Sequence, residues 1–179
     1  MSLKSGYGKS TDPNTSSDIS QNESLLNKIT QILEIVLKEN ESISTENTKI
    51  PLSSHNIPSI SIKDYLHRIQ YYTEAEESTF IIALIYIDRL NNIGKIALSP
   101  YNIHRIVFVA ILLAIKYNED LYFNFDYYAL IAGISTKELK YLESEFTCLI
   151  KFTLYVEEEV YQSYKANLDE IAQDENVKK

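Results

Sequence analysis

Two stretches of the sequence are apolar on nearly every side of a helix, and they limit the chain to folds with a buried helical centre. The stretch 80–87 reads Phe-Ile-Ile-Ala-Leu-Ile-Tyr-Ile, and the stretch 106–115 is an unbroken apolar run. A helix that is apolar all round is buried inside a bundle or a membrane. Because 106–115 has about half the length that spans a bilayer, we expect both helices to form the centre of an all-α domain.

One-sided apolar stripes on either side of these stretches predict further helices that cover them. The stripes lie within 60–72 and 135–151, with apolar residues three and four positions apart, and 124–133 predicts a short helix between them. Five helices with short connections result. Their starts are marked by residues suited to cap a helix: Ser61 with Asp64, Thr73 with Glu76, Ser99-Pro100, Asn124, and Ser135 with Glu138. Gly94 and Gly133 suit helix ends.

The composition along the chain divides it into a helical domain and flanking segments. Residues 1–22 are polar and predict a disordered tail, and residues 23–40 form an amphipathic helix with an apolar stripe. Residues 41–56 are a polar linker, 57–155 form the five-helix domain, and 156–179 add a more polar C-terminal helix and tail. The 23–40 helix either docks on the domain or binds something else.

The charge and the reactive residues exclude several classes of function. The chain of 179 residues has a net charge of −8, which argues against binding to nucleic acid or to an anionic membrane. His55, His67 and His104 lie apart from one another, and Cys148 stands alone. We therefore predict no metal site, no cofactor, no small-molecule substrate and no catalytic constellation. Lacking an apolar leader, the chain is expected in the cytoplasm, the nucleus or both.

The helices carry sequences that resemble a known family. These are Ile60–Ile69, Ala83–Leu90, Asn102-Ile103-His104-Arg105, Ala110–Tyr117, and Leu142-Glu143-Ser144-Glu145-Phe146. Their order and separations resemble the cyclin box of the Pho80-like (P/U-type) cyclins. Arg105 stands where many cyclins carry leucine, but arginine is common in the Pho80-like class. The resemblance covers roughly 57–155, so one cyclin box fits in the chain.

The resemblance implies a non-enzymatic regulatory subunit that binds and activates a cyclin-dependent protein kinase. The alternative is a non-catalytic cyclin-like scaffold or transcription-associated interaction domain. As in other cyclins, a lysine and a glutamate would sit together and bind backbone groups near the regulatory helix of the kinase. By resemblance these are Lys116 and Glu145. Otherwise, Lys116 complements the C-terminal dipole of its helix and Glu145 lies on a solvated edge.

Further residues take roles from the same resemblance. Arg68 and Asp88 match a cyclin-box arginine and aspartate that pair inside the domain. The acidic turn 118–120 is either a solvated loop or a contact to the kinase. The third and fifth cyclin-box helices would offer the kinase an exposed apolar groove. The candidates for it are Ile111, Ile115, Leu142, Phe146 and Leu149, which by sequence suit either the interface or the interior.

Overall fold

The computed structural model describes the chain over residues 15–40 and 52–177, and its side chains over 23–40 and 52–171. Within these ranges the chain is all-α, as predicted. The helices are α1 (Thr15–Asn40), α2 (Ile62–Thr73), α3 (Glu77–Asn92), α4 (Ile103–Asn118), α5 (Phe125–Ala132), α6 (Thr136–Leu149) and α7 (Glu158–Val177). The five predicted helices of the domain are α2 to α6. None of the described helices is long and apolar enough to cross a membrane.

The helices α3 and α4 form the centre, as their all-round apolar sequences predict. They pack against each other more extensively than any other pair, and nearly every residue from Phe80 to Ile87 and from Ile106 to Ile115 is buried. The amphipathic helices surround them with one apolar face inward. Burial of this surface is the main free energy that stabilises the fold.

The flanking helices α1 and α7 belong to the same core. Leu26 and Leu33 of α1 and Leu168 of α7 are buried. Helix α1 packs on α2, α3 and α7, so the amphipathic helix docks on the domain. It begins at Thr15, earlier than the predicted start at residue 23, so the predicted end of the tail at residue 22 is too late. Residues 1–14 of that tail and 41–51 of the predicted linker lie outside the described residues.

Three of the predicted helix starts are confirmed and two are wrong. The side chains of Ser61, Asn124 and Ser135 accept hydrogen bonds from backbone N–H groups three residues on. Thr73, in contrast, is the last residue of α2, and its hydroxyl donates to the carbonyl of Ile69. Helix α4 starts at Ile103, after a turn that includes Ser99-Pro100.

The two glycines at helix ends are required for different reasons. Gly133 ends α5 with φ of 74°, a left-handed conformation that suits glycine. Gly94, after α3, is needed because of close packing. A Cβ atom there would lie 2.7 Å from the carbonyl oxygen of Leu90 and 3.3 Å from Cβ of Leu149. Gly94 therefore brings the end of α3 against α6.

Candidate functional site

An ion pair joins the C-terminal end of α4 to the middle of α6. Nζ of Lys116 donates a hydrogen bond to Oε1 of Glu143, 2.5 Å away. Lys116 is the first polar residue after the buried run of α4, so its ammonium group emerges where the core ends. Both side chains are partly covered and partly open to solvent. The pair therefore has donor and acceptor capacity left for another molecule.

The Phe125 ring, in the first turn of α5, lies beside this pair. Nζ of Lys116 is 4.7 Å from the ring centroid, and Nζ of Lys140 is 5.6 Å from it. An ammonium group near an aromatic ring is attracted by the ring's quadrupole. The cap at Asn124 fixes the start of α5 and hence the place of Phe125. The ring and Glu143 together hold the Lys116 side chain in one arrangement.

The predicted partner of Lys116 is corrected by this geometry. Lys116 pairs with Glu143, and Glu145 forms no ion pair among the described residues. The two glutamates are two residues apart, about 200° around the helix axis. Glu143 lies four residues after Leu139 and three before Phe146, both buried, so it borders the apolar stripe as Glu145 does. The stripe alone does not distinguish between them.

Exposed aromatic residues follow Lys116 and the end of α6 in the chain. Tyr117, next to Lys116, is 53% exposed, and beyond the end of α6 Phe152 and Tyr155 are 70% and 64% exposed. The phenol groups of Tyr117 and Tyr155 lie close enough to interact electrostatically, although the Glu157 carboxylate has the larger effect in raising the pKa of Tyr155. Tyrosine and phenylalanine are enriched at protein interfaces.

The backbone that presents Phe152 is strained. Lys151 and Phe152 have φ of 53° and 58°, the left-handed region that side chains other than glycine rarely adopt. The N–H of Phe152 donates to the carbonyl of Thr147 at 2.9 Å, and its own carbonyl accepts from the N–H of Leu154 at the same distance. These bonds hold the turn in place, and the turn points a large apolar ring into solvent. Strain of this kind concentrates at functional sites.

Comparison with known proteins now identifies the family. The cyclin family model matches residues 7–154. The chain is 35% identical over 152 residues to Cyclin-U2-1 of Arabidopsis thaliana, covering 81% of this chain and 68% of that protein. It is 31% identical over 154 residues to Cyclin-U4-1 of the same plant, covering 80% and 76%. Cyclin-P3-1 of Oryza sativa subsp. japonica is 34% identical over 138 residues, covering 74% and 58%.

The chain belongs to the cyclin family. Its relatives place it in the Pho80-like class, the class predicted from the sequence. As a cyclin it is a regulatory subunit of a cyclin-dependent protein kinase, and the alternative of a scaffold without a kinase is not favoured.

Most of the residues predicted to form an exposed apolar groove are buried. Ile111, Ile115, Leu142 and Phe146 are each no more than 2% exposed. They form part of the core between α4, α5 and α6 and present no surface to a partner. Leu149 is partly buried and lies against Gly94. Sequence periodicity identified these residues as apolar, but both interior and interface positions produce that pattern.

The predicted pair of Arg68 and Asp88 is also wrong. The guanidinium of Arg68 donates to the carbonyl of Leu130 at 3.3 Å. The carboxylate of Asp88 accepts from the side chains of Asn92 and Tyr164, at 2.9 and 3.0 Å. Asp88 therefore anchors α7 on α3, while Arg68 joins α2 to α5. Both residues connect elements of the fold, but to different partners.

Arg105, and not Arg68, forms an ion pair that links separate elements of the fold. Arg105, in the first turn of α4, bonds the Glu138 carboxylate of α6 and the Ser53 carbonyl. It joins the segment before α2 to two helices of the box. In the sequence, Arg105 stands where many cyclins carry leucine, and this substitution alone does not indicate a structural role. Its partners, more than 30 residues away on either side, are not visible in the sequence.

The described part of the chain contains no candidate metal centre. No group of three or more histidine, cysteine, aspartate or glutamate side chains in that part is placed to hold a metal ion. Cys148, which stands alone in the sequence, is exposed on α6. What the geometry offers is a surface for another protein.

Proposed function

We propose that this cyclin activates its kinase through one surface, the pair face, formed by Lys116, Glu143, Tyr117, Phe152 and Tyr155. Its centre is the ion pair and its apolar part is the three exposed rings. The observation that carries the proposal is the Lys116–Glu143 bond at the end of the buried helix α4. It supplies the neighbouring lysine and glutamate that the cyclin resemblance implies, with Glu143 in the role first given to Glu145.

The ion pair suits the recognition of backbone groups. The Lys116 ammonium donates and the Glu143 carboxylate accepts, so together they can bond a carbonyl and an N–H of one peptide segment. Because Glu143 and Phe125 already hold Lys116, little side-chain freedom is lost when the partner binds. The pair thereby fixes the register of the kinase's regulatory helix on the cyclin.

The exposed rings supply the apolar contact. Tyrosine and phenylalanine side chains at the centre of an interface often dominate its binding energy. An interface of standard size needs about 800 Å² from each partner, and the exposed rings of Tyr117, Phe152 and Tyr155 would supply apolar surface to it. No rearrangement of the core is needed, since these rings are exposed in the free chain.

Activation then follows from a shift in the kinase's own equilibrium. A protein kinase requires its regulatory helix in place so that the helix glutamate pairs with the strand lysine. A rigid cyclin surface that binds this arrangement more tightly than others shifts the population toward it. The cyclin performs no chemistry itself. Cyclin and kinase would meet in the cytoplasm or the nucleus, the compartments expected from the sequence.

The test is co-purification of the tagged full chain with cyclin-dependent kinases co-expressed with it, followed by a peptide phosphorylation assay. Lys116→Ala and Glu143→Ala should each weaken kinase binding by at least about tenfold, because each leaves an unpaired charge in the interface. Glu145→Ala on the same helix is the matched control and should bind within about twofold of the unaltered chain. Circular dichroism checks that all variants remain helical.

Two results would overturn the proposal. One is kinase binding by Lys116→Ala and Glu143→Ala that equals that of the unaltered chain. The other is a loss with Glu145→Ala as large as with Glu143→Ala, since the pair would then have no special role.

A further inference from the structure

The segment between α6 and α7 carries two rings of the pair face without the support of a regular helix. Residues 150–157 lie between the end of α6 at Leu149 and the start of α7 at Glu158. Phe152 and Tyr155 project from this segment, and both are mostly exposed, so packing of their own rings does not fix them. Other contacts hold the backbone that presents them.

The first half of the segment is held by bonds close to α6. The hydroxyl and the N–H of Thr153 both donate to the carbonyl of Ile150, at 2.5 and 3.1 Å. With the bond from the N–H of Phe152 to the carbonyl of Thr147, they close the strained turn. These bonds do not tie the following residues, which lead to Tyr155, to the rest of the fold.

Two residues of the central helix α3 hold the second half of the segment. Nη1 of Arg89 donates to the carbonyl of Thr153 at 2.6 Å. The Tyr86 hydroxyl donates to the carbonyl of Leu154 at 2.7 Å. Arg89 and Tyr86 are three residues apart and therefore lie on the same side of α3. They bond two successive carbonyls, those of the two residues between the exposed rings.

Both donors are themselves held in place. Tyr86 is 0% exposed, so its ring is fixed by the core. Burial raises the pKa of Tyr86, and the side chain of Asn118, which lies near the same hydroxyl, opposes that effect. Asn118 ends α4 next to Tyr117, so the Tyr86 hydroxyl lies where the end of α4 meets the segment. The guanidinium carbon of Arg89 is 5.9 Å from the centroid of the Tyr86 ring, close enough for a cation–π attraction.

We propose that Tyr86 and Arg89 are positioning residues of the kinase interface, a role that rests on the proposed function of the pair face. They hold the segment after the strained turn, so that the rings of Phe152 and Tyr155 are already placed when the kinase binds. Because Tyr86 is fully buried, it does not contact the kinase and acts only through the segment that it bonds. Without these bonds the kinase would have to order the segment, and that cost lowers the affinity.

The first test compares two variants that each remove one hydroxyl group and keep the ring. Tyr86→Phe removes the bond to the segment, and Tyr164→Phe removes the bond to Asp88 that joins α7 to α3. Titration of purified kinase with the full chain should show binding weakened about three- to tenfold by Tyr86→Phe, the effect of one lost hydrogen bond. Tyr164→Phe is the matched control and should bind within about twofold of the unaltered chain. Circular dichroism checks that both variants remain helical.

Variants of Arg89 test the same role by rescue. Arg89→Met keeps the length of the side chain but loses its donors, and should weaken kinase binding about as much as Tyr86→Phe does. Arg89→Lys retains a charged donor for the carbonyl of Thr153 and should recover part of the lost affinity. In a chain that also carries Phe152→Ala and Tyr155→Ala, neither Tyr86→Phe nor Arg89→Met should weaken binding further, because the rings through which they act are gone.

The place of the Phe152 ring can also be followed without the kinase. The chain contains no tryptophan, so Phe152→Trp introduces a single indole whose fluorescence anisotropy reports how firmly the segment is held. Adding Tyr86→Phe or Arg89→Met should lower this anisotropy, and adding Tyr164→Phe should leave it unchanged. An anisotropy that neither Tyr86→Phe nor Arg89→Met lowers would overturn the proposal, since the ring would then be held without α3.

The pattern of kinase binding distinguishes failure of this proposal from failure of the proposed function. If Lys116→Ala loses the kinase while Tyr86→Phe and Arg89→Met bind like the unaltered chain, the positioning role is refuted and the pair face stands. An effect of Tyr164→Phe as large as that of Tyr86→Phe refutes it too, because the loss would then follow general stability. If Lys116→Ala and Phe152→Ala both retain the kinase, the proposed function fails and the positioning role fails with it.

Discussion

Among single residues, His104 has one ring nitrogen in a hydrogen bond and the other buried without a partner among the described residues. Its Nε2 lies 2.8 Å from the carbonyl of Ile60, so this nitrogen carries the hydrogen and donates it. Nδ1 is buried and has no hydrogen-bond partner among the described residues. The ring also packs against Tyr65, with centroids 5.2 Å apart. A second proton on Nδ1 would be buried without an acceptor.

We predict that His104 makes the cyclin less stable as the pH falls. Burial lowers the pKa of His104 below its ordinary value, against the opposing effect of the bond to Ile60. The unfolded chain then binds the proton more readily than the folded chain, so stability is lost as the pH falls from above about 6.5 toward the lower folded pKa. Glutamine at this position can donate to Ile60 but does not titrate.

Urea unfolding measures the effect at about pH 7.5 and about pH 5.5. His104→Gln should lose less free energy of unfolding between these pH values than the unaltered chain. Equal losses in the two proteins would show that His104 does not contribute to the pH dependence.

The sequence placed Lys116 at a helix end but did not give its ion-pair partner, and there is a physical reason for this difference. Lys116 could be placed at the edge of the core because it is the first polar residue after the apolar run 106–115, and such a pattern is visible in the sequence. Choosing Glu143 over Glu145 as the partner of Lys116 requires the rotation of each helix about its axis. So does choosing the pair Arg105–Glu138 over the pair Arg68–Asp88. Helix rotation is set by packing in three dimensions, and residues on both borders of a stripe look alike in sequence.

At the scale of helices, α3 is capped by a residue from another element. Its N-cap position, Glu76, makes no side-chain cap bond of its own. The carboxylate of Glu119, just beyond α4, accepts from the N–H of Glu76 at 3.1 Å and from the hydroxyl of Thr79 at 2.6 Å. A negative charge at a helix N-terminus is also favoured by the helix dipole. The acidic turn 118–120 is thus partly explained as a cap across the fold.

We predict that Glu119→Ala destabilises the folded chain by about 1 kcal/mol, the usual cost of losing an N-cap. Asp120→Ala, at the exposed neighbouring position, is the control and should change stability by less than about 0.5 kcal/mol. Thermal or urea unfolding of both variants gives the comparison. A smaller effect for Glu119→Ala than for Asp120→Ala would contradict the cap.

Local signals explain which helix starts were predicted. Ser61, Asn124 and Ser135 cap the helices that directly follow them, so the cap and its N–H partner are close in sequence. Thr73 has the same spacing to Glu76, but α2 continues through it. The cap on α3 comes from Glu119, some forty residues later, and no local spacing shows a contact at that distance. The all-α fold itself was predictable, because the buried helices are apolar throughout.

For the whole molecule, the strained turn at Lys151 and Phe152 would connect stability with the proposed kinase binding. The rest of the described chain buries most of its large apolar side chains, yet Phe152 is 70% exposed on a backbone with positive φ. In the free chain this arrangement offers little packing energy and costs strain. If the pair face binds the kinase, the Phe152 ring gains packing contacts only in the complex. The turn would then lower the stability of the free chain and raise its affinity for the kinase.

We therefore predict opposite effects on stability and binding from glycine at this position. Phe152→Gly relieves the left-handed strain that Phe152→Ala retains, so the glycine variant should be more stable than the alanine variant by about 0.5–1 kcal/mol. Both lack the ring, and both should bind the kinase more than about tenfold less tightly than the unaltered chain. Unfolding curves give the first quantity, and titration with purified kinase gives the second. The contradicting result is a kinase affinity that falls for Phe152→Ala but not for the more stable Phe152→Gly. The turn would then support the fold and not the interface.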